Sequence, residues 1–329
     1  MTSELTILQP NTANPWLEAA RLWLEAAESR RGSLRTRTEY QRNLALFFRF
    51  VAKEPDQVTG ADCQRWASFM SEAGLSKATI NTRLAAVSSF YSFVSTRYEV
   101  EPGRYLHNFN PASSVQRLHI NPYEKAKGLS PEQARAMLKT CDRSTVLGAR
   151  DHAILSFYLL TARRRAEVAR LIWADLRDGR EPGQKEYHYT GKGGKGGWRT
   201  LPVPVWASIE HYLKLAGRLM TMEQDTPLFA PTHDKARYLG HQISENSRLS
   251  ERSINNLVER AAKRAGLEHV TVHTLRHAAA KLRRAVGEDI EGISQFLDHS
   301  SLAVTSIYLN TLEGKEDTRW AEVSALLGL

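Results

Sequence analysis

The sequence predicts a mainly α-helical chain in two domains, with one small antiparallel β-sheet in the second. Three observations carry this. Apolar residues recur at helical spacing up to Tyr98, and a stretch rich in Pro, Asn, Gly and basic residues then breaks the pattern. Beyond it, helical stripes are interrupted by two short segments flanking a Gly-rich turn. At 329 residues the chain is long for one compact core and comfortable for two.

In chain order, Trp16, Ala19, Ala20, Trp23 and Leu24 mark a first amphipathic helix, and after Ser33 the set Tyr40, Leu44, Phe47, Phe48 and Val51 marks a second. A third is expected from Ala61 to about Ala73. A fourth carries Ile80, Leu84, Val87 and Tyr91, with Phe90 and Val94 widening its stripe. Residues 1–98 therefore read as a helical domain and 99–128 as a linker. The second domain, 129–312, opens at Ser130, where Ser-Pro-Glu-Gln supplies an N-cap, a Pro at the first helical position and a Gln able to close a capping box. Helical patterns follow around 131–140 and 150–170. Lys185–Thr190 and Trp198–Val203 read as a β-hairpin, and helices resume near Val205, Ser250, His273, Glu288 and Ser301. The tail, 313–329, carries an apolar stripe of Trp320, Val323, Leu326 and Leu327.

Charge points to the class of partner. With 45 Lys+Arg against 36 Asp+Glu, a net charge of +9 and a pI near 9.6, the surface attracts polyanions, and nucleic acid fits better than an acidic small molecule. Cys63 and Cys141 are far apart and lack metal-ligand spacing, so neither a disulfide framework nor a zinc site is implied. There is no signal-peptide pattern and no run of about 18 apolar residues, so the chain reads as soluble and cytoplasmic, without membrane association.

Four segments of the second domain carry residues suited to gripping and attacking a phosphodiester. The first runs from Arg150 to Glu167 and includes Thr161-Ala-Arg-Arg-Arg-Ala-Glu167, where an Arg near a helix start can hold phosphate oxygens through a bidentate fork. The second, Gly191-Lys-Gly-Gly-Lys-Gly-Gly-Trp-Arg, places Lys192 on a hairpin tip. No Ser or Thr follows either lysine, so it is not a nucleotide-binding P-loop. In the third, His273-Thr-Leu-Arg276-His277, His and Arg lie three apart on one helix face. The fourth, Leu297-Asp-His299-Ser-Ser-Leu-Ala-Val-Thr-Ser-Ile-Tyr308, sets a His nine positions before a Tyr. Each alone has an ordinary explanation, such as a solvated basic face, a flexible hairpin or a packed tyrosine.

In the order Arg, Lys, His-x-x-Arg, His, Tyr the set resembles the tyrosine site-specific recombinase (phage-integrase-like) family, especially its Xer-like and transposon-integrase members. The family's Thr-Gly-Leu-Arg-x-Ser-Glu segment is similar to TARRRAE and aligns Arg164 with the first catalytic arginine and Glu167 with its acidic supporter. GKGGK aligns Lys192 with the catalytic lysine, HTLRH supplies His273 and Arg276, and LDHSSLAVTSIY supplies His299 and Tyr308. Departures leave alternatives open. Ala162 and Arg163 replace the usual Gly-Leu, so Arg163 and Arg165 rival Arg164. The hairpin is about two residues longer than usual, so Lys195 rivals Lys192, and Asp298 replaces the usual Gly before His299.

The resemblance implies a helical core-binding domain and an α+β catalytic domain forming a C-shaped DNA clamp. Tyr308 would attack a phosphate with His273 as general base; Arg164, Arg276 and His299 would stabilise the transition state; Lys192 would protonate the leaving 5′-oxygen. A 3′-phosphotyrosyl intermediate conserves bond energy, so no cofactor, ATP or metal is needed. Partners are double-stranded DNA target sites and further copies of the chain, as a tetramer on two sites passing through a Holliday junction, with the tail contacting a neighbouring protomer. Lys125 and Lys127 are expected on phosphates, and Lys77, Asn81, Arg83, Arg252 and Asn256 at bases. Two other readings stand beside this one. One is a type IB topoisomerase, against which His273 counts because that class commonly has Lys there; the other is a DNA-binding protein without catalysis.

Overall fold

The computed structural model describes residues 14–31, 34–120, 128–191, 196–231 and 247–299. The chain divides into two compact units, split after Asn121, and each has its own core.

The first unit is built from α1 (Pro15–Arg31), α2 (Leu34–Val51), α3 (Gly60–Glu72) and α4 (Lys77–Thr96). Every residue of the expected α4 stripe is buried: Ile80, Leu84, Val87, Phe90, Tyr91 and Val94. The core is aromatic. Trp23 stacks on Tyr40 at 5.2 Å and meets Phe90 edge-on, while Phe47 meets Trp66 edge-on at 5.0 Å. Helix α3 begins at a reciprocal capping box between Thr59 and Asp62. The stretch after Tyr98, read from sequence as a linker, is structured in its first half. A short hairpin of β1 (Glu99–Glu101) and β2 (Arg104–Tyr105) precedes a turn at Pro111–Ser114, and Ala112 and Val115 are buried in this core. Asn110 fixes the return by donating to the Ser88 carbonyl at 2.9 Å and to the Ser92 hydroxyl at 2.8 Å.

The second unit opens with α5 (Pro131–Lys139), whose capping box forms as its sequence specifies. Ser130 Oγ accepts from Gln133 N at 3.2 Å, and Gln133 Oε1 accepts from Ser130 N at 2.9 Å. Helix α6 (Val146–Thr161) is apolar on nearly every side and forms the core, packed against α8 (Val203–Leu215) and α10 (Val272–Ala285). The helical pattern expected across 150–170 is broken: α6 ends at Ala162, which is left-handed at φ 52°, and α7 (Arg165–Ala169) restarts at once. A three-stranded antiparallel sheet follows, in the order β3 (Leu176–Asp178), β4 (Lys185–Thr190), β5 (Gly196–Leu201). The β4–β5 pairing runs from Lys185 opposite Leu201 to Thr190 opposite Gly196. Strand β3 was not anticipated, because three residues are too few to show alternation. Helices α9 (Glu251–Arg264) and α11 (Ile290–Leu297) complete the described part. A satellite cluster of Ala162, Ala279, Ala280, Ile293 and Leu297 packs the end of α6, the middle of α10 and the end of α11 together.

Candidate active site

The satellite cluster brings three sequence-distant segments to one place, and Arg276 ties them. This buried residue in the first turns of α10 donates from one guanidinium nitrogen to the Ala162 carbonyl and from another to the Leu297 carbonyl. Both acceptors lie at the C-terminal ends of helices, where carbonyls lack intrahelical partners and carry partial negative charge. His273, one turn earlier on α10, is at the surface, and His299 leaves the end of α11 with its backbone N–H bonded to the Ser294 carbonyl at 3.1 Å.

The electrostatics show the same convergence. Desolvation, then the charges of Arg276, Arg165 and Arg164, lower the His273 pKa below its ordinary value. His299 is pushed down to about 4 by desolvation, then Arg276 and Arg164, while Asp298 opposes the shift. His277 is also lowered to about 4, by desolvation and then by His273, Arg276 and His299. Both arginines therefore act on both histidines, and the imidazoles are held neutral near pH 7.

The three candidate arginines separate by what they touch. Arg163 is 2% exposed; its guanidinium donates to the Thr161 carbonyl, the Phe296 carbonyl and the Asp298 carboxylate, and it lies 4.2 Å over the Tyr189 ring. Arg165 pairs with Glu251 on α9, with nitrogens at 2.8 and 2.9 Å from one carboxylate oxygen. Arg164 caps α7 and keeps about a third of its side chain exposed. Glu167, buried beneath it, accepts from Arg164 N at 2.8 Å and from its guanidinium at 2.9 Å, so the head group is aimed while part of it stays accessible. Arg150, at the start of the first sequence segment, is buried and bonded to Asp151 and to the Ala230 carbonyl, a packing role in place of phosphate contact.

Arg164, Glu167, His273, Arg276 and His299 are thus gathered. Lys192, Lys195, Tyr308, Lys125 and Lys127 lie outside the described residues, as does the tail from 313 to 329. Arg252 and Asn256 are exposed four apart on α9, a spacing that puts them on one face. Lys77 is exposed at the start of α4, and Arg83 lines an open cleft with Arg42, Asn43, Thr79 and Thr82. Asn81 departs from the expectation that it reads bases: its amide donates to the Leu118 carbonyl at 2.8 Å and accepts from Leu118 N at 3.0 Å. One of its two N–H groups and its oxygen are engaged in these bonds.

An arginine-rich, histidine-lined anion-binding site on a helical unit with a three-stranded sheet, following a four-helix unit, fits the class that the comparisons show, the tyrosine recombinases, enzymes that break and rejoin DNA strands. Comparison gives the family. Residues 127–314 match the phage integrase family and residues 20–97 the phage integrase N-terminal SAM-like domain, and the chain belongs to the phage integrase family. It is 30% identical over 311 residues to a tyrosine recombinase of Synechococcus elongatus, covering 89% of this chain and 90% of the relative. It is 29% identical to the tyrosine recombinase XerC of Thermodesulfovibrio yellowstonii, covering 84% and 85%. Among solved structures, a lambda integrase (75–356) dimer bound to a COC' core site superposes with a TM-score of 0.65 at 14% identity, covering 92% of this chain and 96% of that one. XerH recombinase bound to a palindromic difH substrate gives 0.63 at 20% identity, covering 89% and 77%. These two likenesses establish the fold.

Proposed function

We propose that this recombinase cuts DNA by attack of the Tyr308 hydroxyl on a backbone phosphate, forming a 3′-phosphotyrosyl bond and releasing a 5′-hydroxyl. The observation that carries the reading is the gathering of Arg164, His273, Arg276 and His299 from three segments, with both arginines acting on both histidines. The family match from 127 to 314 spans Tyr308 and Lys192.

A phenol of pKa about 10 must lose its proton as it attacks, and His273, with its lowered pKa, is neutral and able to accept that proton. Arg164 and Arg276 offset the negative charge that builds on the non-bridging oxygens, and neutral His299 donates one further hydrogen bond to them. Lys192 delivers a proton to the departing 5′-oxygen, with Lys195 the alternative. Rejoining reverses these steps with the 5′-hydroxyl of another strand, so bond energy is conserved and neither ATP nor a metal cofactor is required.

The working assembly is a tetramer on two double-stranded DNA sites, with the tail after residue 312 supplying the contact between protomers; the similar lambda integrase is seen as a tetramer bound to a Holliday junction. Phosphates meet Lys125 and Lys127; Lys77, Arg83, Arg252 and Asn256 face the duplex. No described helix is long and apolar enough to cross a membrane, and the proposed setting is the cytoplasm. The reading is tested with Tyr308→Phe on a duplex nicked near the cleavage position, which traps the covalent adduct. The expected result is no adduct with DNA affinity within about threefold of wild type, since one hydroxyl contributes little to a phosphate-dominated interface. An adduct formed by this variant would overturn the assignment.

A further inference from the structure

Two residues stand where the recombinase motif usually has others, and they touch each other. Arg163 occupies the place of a Leu and Asp298 the place of a Gly, and the Arg163 guanidinium donates to the Asp298 carboxylate across 135 residues of sequence. Neither is an ordinary surface charge. Arg163 is 2% exposed, and Asp298 is half-buried.

Asp298 is the last cap of α11 and adopts a left-handed conformation at φ 49° and ψ 46°, where a side chain is disfavoured and glycine is the usual solution. The carboxylate is held from three sides: by Arg163, by the Tyr189 hydroxyl on β4, and by Arg199 on β5 at 3.5 Å. Burial would raise its pKa, but Arg163, the Tyr189 bond and Arg199 outweigh that and keep it ionised. Arg163 also caps the C-terminal end of α11 by donating to the Phe296 carbonyl. The next residue along the chain is His299.

We propose that Arg163 and Asp298 form a positioning pair that replaces glycine at the end of α11 and fixes the direction in which His299 leaves the helix, with Tyr189 and Arg199 registering that end against the β4–β5 hairpin. The inference rests on the reading of His299 as a catalytic residue. Left-handed strain at Asp298 persists because the buried cation opposite it rewards the carboxylate. Either partner alone is then worse than neither: without Asp298 a buried guanidinium loses its counter-charge, and without Arg163 a strained, half-buried carboxylate loses its main support.

The test is single-turnover adduct formation on a nicked duplex carrying the site recovered by sequencing DNA covalently trapped on the wild-type enzyme, with equilibrium binding to the same duplex measured in parallel. R163L and D298G are each expected to slow adduct formation at least tenfold with Kd within about threefold of wild type. The double variant R163L/D298G is expected to return to within about threefold of the wild-type rate. Singles at the wild-type rate, or a double slowed by the product of the two singles, would overturn the proposal. If R163L fails to fold, R163K takes its place; it retains the charge opposite Asp298 but cannot also reach the Phe296 carbonyl, and a rate between wild type and D298G is expected, with equality to D298G counting against the pair. H299A separates the two levels. Wild-type cleavage by H299A would refute the reading of His299 itself, whereas loss of cleavage in H299A with unaffected R163L and D298G would refute only the positioning role.

Discussion

Three consecutive arginines meet three different fates. Arg163 is buried against Asp298, Arg165 is paired with Glu251, and Arg164 alone combines a buried carboxylate behind it with an accessible head group. Spacing to Thr161 and Glu167 favours Arg164 in the sequence, but the engagement of its neighbours depends on partners 86 and 135 residues away, which no local pattern encodes. Arg164→Lys keeps a charge for Glu167 and loses the planar fork. Cleavage by this variant is expected to fall about 100-fold, read as single-turnover adduct formation, with Tm almost unchanged. The lowered histidines make a second prediction. A His whose folded pKa lies below its unfolded value of about 6.5 takes up protons more readily when unfolded, so its contribution is complete above that pH and is lost as pH falls toward the folded value. With His277 and His299 both near 4, stability should decline between pH 6.5 and 4. Both rings are partly open to solvent, which screens them, so between pH 7 and pH 5 the loss is about 1 kcal/mol per group, a fall in Tm of roughly 5 °C for the second unit. His299→Gln should remove about half of that pH dependence in thermal unfolding.

Helix boundaries follow the same division between local and distant causes. The apolar stripes of α1, α2 and α4 are readable because burial repeats along one face, and α5 is readable because Ser130 and Gln133 announce its start. The break between α6 and α7 is not, because Ala162 is a good helix former held left-handed by its surroundings. The return of residues 99–115 onto α4 was hidden for a similar reason: Asn110, a common turn residue, works here as a clamp on Ser88 and Ser92. At the start of α6, Gly148 has a steric explanation. A Cβ there would lie 2.0 Å from the Asp142 carbonyl oxygen and 2.8 Å from its nitrogen, and this backbone cannot yield without displacing the turn before the helix. Gly148→Ala should cost about 2–3 kcal/mol and lower the Tm of the second unit by roughly 5–10 °C, measured by calorimetry.

Across the whole molecule the net charge of +9 supplies attraction to DNA that is independent of sequence and weakened by salt. Exposed Arg252 on α9, expected at the duplex, carries one of these charges whether or not it also reads a base, so Arg252→Ala should weaken binding several-fold at moderate salt and reduce the slope of log affinity against log salt by about one. An unchanged slope would remove Arg252 from the DNA-facing set. The bond network of Arg276 has a kinetic consequence. Its carbonyl partners, Ala162 and Leu297, stand 114 and 21 residues from it along the chain, so the anion-binding site assembles only after long loops have been ordered. Single helices emerging during synthesis hold arginines and histidines but no assembled site, and on the proposed reading strand cutting waits until the chain has been made through Tyr308 and the second unit has folded.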